Sequence, residues 1–434
     1  MTPQLILNPN AGQENAAKAF FEFLLTSGKE FIIAGAAGVG KTFLMSYIID
    51  KIMVQYQKTC ELLGIEPEYT EVVMTATTNK AAEVLGNATG RPTSTIHSYL
   101  NIRVSEDYQT GKTVLTRTRD WHVKRNKIIF IDECSMIDSD LYHILHEGTE
   151  NCKIVYVGDH NQLAPVFEKI SPIYLQGSPF YELTEPMRNN GQPALMAICQ
   201  QLRETVESGE FKPIQVVPGV IDWLSDGEML QGIQDTFIPG PNLNSRILAY
   251  TNKMVIQYNQ YIRELRQLPA LYTAGEVLVS NGSTKVGSTQ LSVEQEITIK
   301  EVQNTRIIEI TKDSELEVQQ VTLETSFGEV VYNALLPVDR DHYDKLIKWF
   351  AKTKNWERMY FLKNNFPDLR PRDAATVHKS QGSTYQSVFI DLDNISKVTN
   401  PDMAARMLYV AFSRAKERVF LYGNLTERFG GIIE

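Results

Sequence analysis

The run Gly35-Ala36-Ala37-Gly38-Val39-Gly40-Lys41-Thr42 fits G-x-x-x-x-G-K-[ST], the loop that cradles the phosphates of a nucleoside triphosphate. The residue types explain the chemistry. Glycines let backbone N–H groups close around phosphate oxygens, and a helix N-terminus behind them adds a favourable dipole. Lys41 would reach the β- and γ-phosphates, and the Thr42 hydroxyl would hold Mg²⁺. A glycine-rich turn that binds nothing is the bland alternative. The context argues against it: the strand-like run Phe31–Ala34 precedes the loop and a helix-like run from Phe43 to about Val54 follows.

Further groups sit at the ends of other apolar runs. Lys127-Ile128-Ile129-Phe130-Ile131 leads into Asp132-Glu133, the Walker B pattern, in which Asp132 would hold Mg²⁺ and Glu133 would polarise the attacking water. A solvated turn would look the same in isolation, and the upstream phosphate loop decides between them. Val157-Gly158-Asp159-His160-Asn161-Gln162-Leu163 also follows an apolar run; Asp159 and Gln162 would sense the γ-phosphate, or Asp159 would simply close an Asx turn. Two arginines, Arg188 and Arg414, are of the type that neutralises charge developing on a transferred phosphoryl group. His143 and His146 share a helical face with no third ligand in view, so a metal site is not expected there. Leu141, Ile144 and Leu145 read as core.

These groups need a scaffold. The first ~180 residues alternate strand and helix patterns, as in an α/β domain with a parallel sheet. Its expected strands are Phe31–Ala34, Val72–Thr75, Lys127–Ile131 and Lys153–Val157, each leading into the edge where such sheets bind ligands. Arg103–Val114 interrupts the pattern as a hairpin turning near Thr110-Gly111. A second α/β region is expected from about Tyr181, with strand Arg246–Tyr250 and helix Val255–Arg266. Between about Leu271 and Leu336 short β-rich runs (Glu276–Val279, Gln295–Glu301, Arg306–Ile310, Glu317–Thr325, Gly328–Asn333) read as a small β-barrel. A helical stretch from Asp341 to about Asn364 follows. The α/β texture returns from Asp373, with strand Ser387–Asp391, helix Met403–Arg414 and strand Arg418–Tyr422.

Bulk properties bound the function. The 434 residues carry a net charge of −9, which disfavours indiscriminate nucleic-acid binding and leaves room for a local basic groove. The four cysteines (Cys60, Cys134, Cys152, Cys199) lack C-x-x-C spacing and read as reduced thiols of a cytoplasmic protein. No apolar run approaches the ~18 residues a membrane span needs, so no membrane partner is expected.

Taken in order, the motifs resemble those of superfamily 1 helicases of the RecD-like, 5′→3′ branch. Gln13, within Leu7–Gln13, resembles the Q-motif glutamine that reads adenine, and Gly35–Thr42 resembles motif I. Thr75–Ala82 resembles motif Ia, Thr93–Ser98 motif Ib, Asp132-Glu133 motif II and Gly158–Leu163 motif III. Arg188 matches the motif IV arginine, Ala375–Gly382 motif V and Tyr409–Arg414 motif VI. In motif Ia the family often has Ala-Pro-Thr, where this chain has Ala76-Thr77-Thr78.

The resemblance implies an α/β chain of two RecA-like P-loop motor domains with parallel sheets. A small β-hairpin is inserted in the first and an SH3-like β-barrel in the second. The implied boundaries are 1–180 with a pin-like hairpin at about 98–122, 181–270 plus 370–434, and 271–369 for the barrel and a helical tower. ATP and Mg²⁺ are the implied cofactors, with Gln13, Gly35 to Thr42, Asp132, Gln162, Arg188, Gln381 and Arg414 around the nucleotide. Lys41, Glu133, Gln162, Arg188 and Arg414 are the implied catalytic groups. Thr77, Asn79, Lys80, Ser94, His97, Thr376 and His378 would hold single-stranded DNA. Strand-end hydroxyls and amides suit phosphates, and flat histidine rings suit bases. Tyr108, Val114 and Trp121 are the wedge candidates.

The function expected is ATP-driven 5′→3′ translocation on single-stranded DNA with unwinding of duplex or forked DNA. The alternative is an ATP-gated translocase that displaces bound proteins without productive unwinding. RNA as substrate is a weaker reading, because no residue points to a 2′-OH contact. Nuclease chemistry is disfavoured by the absence of a second carboxylate cluster. The resemblance further implies a monomeric motor, working with single-strand-binding or replisome proteins.

Overall fold

The computed structural model describes residues 8–106, 113–165, 168, 170–185, 192–326 and 328–433. The chain divides into two compact units, one built from residues 1–103 and 115–191, the other from 104–114 and 192–434.

The first unit starts with α1 (Ala11–Leu24), whose N-terminus is closed by a reciprocal capping box between Asn10 and Gln13. Next come β1 (Glu30–Gly35) and α2 (Lys41–Tyr47), which runs through a π-helical turn at Ile48–Ile52 into α3 (Met53–Leu63). The unit continues with β2 (Glu71–Ala76), α4 (Asn79–Thr89), β3 (Thr93–Thr95) and α5 (Ile96–Tyr99). Strand β4 (Ile102–Glu106) pairs with β5 (Thr113–Arg117), residues 104–114 being grouped with the second unit. Then follow β6 (Lys127–Asp132), α6 (Ser139–Glu147), β7 (Lys153–Gly158) and β8 (Phe180–Leu183).

The six strands form one sheet in the order β8-β1-β7-β6-β2-β3, parallel throughout. Both faces are covered, which is why β1, β6 and β7 read as unbroken apolar runs. Period-two alternation sends Phe31, Ile33, Phe130 and Val155 to the core beneath α1 to α3. Ile32, Ala34, Ile129, Ile131 and Tyr156 go to the core on the side of α6.

The second unit begins with α7 (Pro193–Ser208), β9 (Ile221–Leu224), α8 (Asp226–Phe237), β10 (Ser245–Ala249) and α9 (Asn252–Leu265). An antiparallel section follows: β11 (Val277–Ser280), β12 (Glu296–Thr311), β13 (Ser314–Thr325), β14 (Val330–Pro337), α10 (Arg340–Lys352), α11 (Trp356–Asn365) and β15 (Leu369–Pro371). The chain then completes the α/β part with β16 (Ala374–Thr376), β17 (Tyr385–Asp391), α12 (Pro401–Ser413) and β18 (Ala415–Tyr422). Its parallel sheet has the order β9-β18-β17-β10-β16 and the antiparallel one β14-β13-β12-β11-β15. Helix α12 is buried along nearly its whole length, which explains its almost continuous apolar sequence.

Several boundaries differ from expectation. The segment from Tyr181 belongs to the first unit, because β8 pairs with β1 in parallel. The runs 295–301 and 306–310 are one strand, β12, kept continuous by register shifts against β13; the polar residues between them are exposed, not a loop. The single helical stretch after 340 is two helices, broken where Lys354 takes a positive φ of 56° and Asn355 caps α11. Both pack on the distal half of the β12–β13 hairpin, with Phe350, Tyr343 and Phe366 against Ile310, Leu316 and Val318. The expected hairpin turn at Thr110-Gly111, with Tyr108, lies outside the described residues. No helix among the described residues is long and apolar enough to cross a membrane.

Lys153 opens β7 yet is only 1% exposed. Its Nζ donates to the carbonyls of Phe23, Thr26 and Gly28 at 3.2, 2.7 and 2.6 Å, closing the C-terminus of α1. Lys153→Met strands these carbonyls, and a loss of about 2–4 kcal/mol is expected. Urea denaturation followed by circular dichroism checks it; an unchanged midpoint would show the bonds to be dispensable.

Candidate nucleotide site and nucleic-acid edge

In the first unit the parallel register brings the motifs to one edge. Loop 35–42 leaves the end of β1, the Asp159 turn leaves β7, Asp132-Glu133 ends β6, Thr77 follows β2 and Thr95 ends β3. Those strands are adjacent in the sheet, so five distant sequence segments share its carboxyl side, where ligands bind in this architecture.

The phosphate loop is shaped by glycine where no other residue fits. A Cβ on Gly35 would lie 2.8 Å from the Leu183 carbonyl oxygen and equally close to Val39. Gly38 and Gly40 take φ of 89° and 80°, the left-handed region that costs glycine nothing. Lys41 starts α2 and its Nζ donates to the carbonyls of Gly35 and Ala36 at 2.7 and 3.0 Å. The ammonium thus arches over the loop beside the α2 N-terminus. Thr42 sits in the first turn of the helix, partly exposed.

Gln13 lies against this loop. Its Nε2 donates to the Val39 and Gly40 carbonyls at 3.2 and 3.4 Å, and its Oε1 accepts from the Asn10 N–H. With 0% exposure, Gln13 braces the loop.

Asp132 and Glu133 follow. The Asp132 carboxyl is pushed up to about 7, first by burial and then by the Glu133 charge, with Lys41 pulling the other way. A divalent cation would hold it ionised. One carboxylate plus the Thr42 hydroxyl is a donor set that suits Mg²⁺, which keeps several waters and phosphate oxygens as its other ligands. Glu133 adopts φ 51° and ψ 42°, a conformation uncommon for a side chain-bearing residue and often found at functional turns. Its N–H donates to Asp132 Oδ1 at 3.0 Å.

The neighbouring turn is close-packed. A Cβ on Gly158 would lie 2.6 Å from Cys134 Sγ, so glycine lets β7 pass the carboxylate turn. Asp159 closes an Asx turn by accepting from the Asn161 N–H at 3.1 Å, and Gln162 is buried at its end. His160 meets Tyr174 and Phe180 edge-on.

The remaining edge holds the residues expected to face DNA. Asn79 is exposed and Lys80, Ser94 and His97 are partly exposed; Lys80 pairs with Glu83 at 3.3 Å. Thr77 departs from expectation: it is buried and its hydroxyl donates to the Glu133 carbonyl at 3.0 Å. Burial lowers the His97 value against an opposing pull from Asp138.

In the second unit, Thr376 ends β16 and accepts from the Lys379 N–H at 3.3 Å, fixing the turn His378–Ser380. Burial lowers the His378 value as well, while Gln381 is partly exposed just beyond. A shallow cleft opens here, lined by Arg246, Asn281, Glu294, Arg370, Thr376 and Lys379. Its cations are paired, Arg246 and Lys379 with Glu294 at 3.7 and 3.6 Å and Arg370 with Asp368 at 3.0 Å. Arg246 was legible only as part of an apolar strand. Arg414 caps α12 and is buried. Its guanidinium donates to the Val410 and Ser383 carbonyls, both at 3.2 Å, and to the Ser413 hydroxyl. Arg188 lies outside the described residues. Val114 is 39% exposed, whereas Trp121 is partly buried against the first unit's core, with Arg117 over its ring at 4.2 Å. His143 and His146 take no part in a metal cluster; among the described residues no group of three or more such ligands occurs, and His146 bonds Glu30 at 2.8 Å.

Comparison with known proteins agrees with this arrangement. Residues 20–168 match the AAA domain family and residues 373–422 the UvrD-like helicase C-terminal domain. The ATP-dependent DNA helicase dda of Enterobacteria phage T4 is 26% identical, over 94% of this chain and 98% of that protein. These similarities fit a superfamily 1 helicase. A second relative, the ATP-dependent RecD2 DNA helicase of Deinococcus radiodurans, is 23% identical over 91% of this chain and 47% of its own length. Among solved structures, a Pif1 helicase from Bacteroides in complex with ADP-AlF3 and ssDNA superposes with a TM-score of 0.53 at 15% identity. The match covers 96% of this chain and 94% of that one, and it establishes likeness of fold.

The two depressed histidines give this chain a defined acid response. A histidine whose folded value lies below the ordinary ~6.5 binds protons more readily when unfolded. Their contribution is therefore complete above about pH 7 and is lost as pH falls through 6.5 toward the folded values. Denaturation midpoints between pH 7.5 and 5 should fall, and His97→Gln should flatten the slope. An unchanged slope in that variant would remove His97 as a source.

Proposed function

We propose that this chain is an ATP-driven 5′→3′ DNA helicase that translocates on single-stranded DNA and opens duplex and forked substrates. The single observation carrying the reading is the alignment of phosphate loop, Asp132-Glu133 and the Asp159 turn on adjacent parallel strands. The full-length similarity to proteins named DNA helicases supports DNA as the substrate, and the RecD-like order of motifs supports the direction.

The residue roles we propose are as follows. The N–H groups of the Gly35–Thr42 loop and the Lys41 ammonium bind and orient the β- and γ-phosphates. Mg²⁺, when bound by Thr42 and Asp132, supplies charge neutralisation on those phosphates. Glu133 accepts the proton of the attacking water. Gln162 reads the γ-phosphate. The resemblance assigns Arg188 and Arg414 to the developing charge, with Gln381 near the nucleotide. For Arg414 this requires exchanging its bonds to Val410, Ser413 and Ser383 for phosphate oxygens. Asn79, Lys80, Ser94, His97, Thr376 and His378 grip the DNA backbone and bases, a sequence-tolerant mode. The working form is taken as a cytoplasmic monomer, with single-strand-binding or replisome proteins as partners.

Unwinding of duplexes carrying a 5′ or a 3′ single-stranded tail tests the reading. Strand separation from the 5′ tail alone is expected; separation only from the 3′ tail would overturn the direction. Translocation without strand separation would favour the protein-displacing alternative. In the same assays Glu133→Gln, which keeps size and removes the base, should lower ATP turnover at least about 10²-fold and retain binding of single-stranded DNA. Wild-type turnover in that variant would remove Glu133 from the chemistry.

A further inference from the structure

The resemblance places Thr77 among the DNA contacts, yet the structure turns it inward. Thr77 is 8% exposed. Two bonds staple it across to the strand that carries the carboxylates. Its N–H donates to the Asp132 carbonyl at 3.2 Å, and its hydroxyl donates to the Glu133 carbonyl at 3.0 Å. The Glu133 carbonyl also accepts the Met136 N–H at 3.2 Å. The peptide plane leaving Glu133 is thus held from two sides, at a residue whose φ of 51° places it in the sparsely populated left-handed region.

We propose that Thr77 is a positioning residue for Glu133: its hydroxyl sets the backbone turn from which the catalytic carboxylate projects, and it makes no contact with DNA. The proposal rests on the reading of Glu133 as the base. It has a mechanical consequence. Thr78 caps α4 by accepting from the Ala81 N–H at 3.2 Å, and Asn79 and Lys80 open that helix. A strand gripped by Asn79 and Lys80 therefore acts on a backbone that, two residues upstream at Thr77, is hydrogen-bonded to the backbone carbonyl of Glu133. Thr77 is the covalent neighbour of the DNA-facing turn and the hydrogen-bonded neighbour of the hydrolytic one, so it carries single-strand occupancy to the attacking-water geometry.

A built-in control lies two residues upstream. The Thr75 hydroxyl donates to the Phe130 carbonyl at 2.7 Å, the same kind of cross-strand bond made two residues before the carboxylate pair. Thr75→Val and Thr77→Val each delete one buried threonine hydroxyl against β6, and only the second touches Glu133.

The test measures kcat and KM for ATP at saturating single-stranded DNA, the Kd for a fluorescent oligonucleotide, and the melting temperature. Misplacing a reacting group by about an ångström lowers rate by as much as ~10². For Thr77→Val a fall in kcat of about tenfold or more is expected, with KM and Kd within about twofold of wild type. Thr77→Ser, which keeps the hydroxyl, should recover most of the rate, and Thr75→Val should keep wild-type kcat even where it melts earlier. Should Thr77→Val not fold, Thr77→Ala takes its place with the same expected split. A weakened Kd with unchanged kcat would make Thr77 a DNA contact and overturn the proposal. Equal loss of kcat in Thr75→Val would overturn it too, by reducing the effect to sheet stability. A wild-type chain that hydrolyses no ATP would instead defeat the underlying reading of the site.

Discussion

The register of one parallel ladder governs the rest of the first unit. Strands β1, β7, β6 and β2 pair in parallel without an intervening antiparallel partner. Their carboxyl ends therefore finish level, and whatever follows them lies side by side. A one-residue slip of β6 would exchange Phe130 and Ile131 between the two cores and send the carboxylate pair to the wrong face. Burial on both faces thus fixes the chemistry as firmly as it fixes the fold. Close approaches tighten the arrangement further. Gly35 lies against Leu183, and Gly158 against Cys134, so the phosphate loop and the carboxylate turn are each pressed by a neighbouring segment.

Within that frame, polar side chains do the fine placement. Gln13, from α1, is bonded to the carbonyls of the phosphate loop. Thr77, from the loop after β2, is bonded to the carbonyl of Glu133. Both came from motifs whose members are expected to face ligand, and both are buried, one against the phosphate loop and the other against the Glu133 turn. In the second unit Thr376 fixes the turn that presents His378, and Arg414 is folded onto the turn after Gln381 through Ser383. The same design recurs: a strand ends, a buried polar group locks the turn, and the residue beyond it is left partly exposed.

Most of this was legible in the sequence wherever a signal was local. Apolar runs located β1, β2, β6 and β7 to within a residue or so, because doubly buried parallel strands are continuous in apolar character. The phosphate loop was recognisable because glycine and lysine spacing is itself the mechanism. What escaped depended on distant partners. The assignment of Phe180–Leu183 to the first sheet needs β1 beside it. Lys153 reads as a strand edge and is buried only because three carbonyls at the end of α1 converge on it. Arg246 sits in an otherwise apolar strand, and nothing local reveals that Glu294 lies 3.7 Å away. The inward turn of Thr77 is likewise a property of its partner across the sheet.

The most direct measurement is steady-state ATP hydrolysis by the wild-type chain as a function of single-stranded DNA concentration. Turnover that rises steeply and saturates as the strand binds is the expected result. It would join the carboxylate turn to the adjoining DNA-facing turn in one cycle. Turnover indifferent to DNA would contradict a DNA motor and leave only a nucleotide-binding edge.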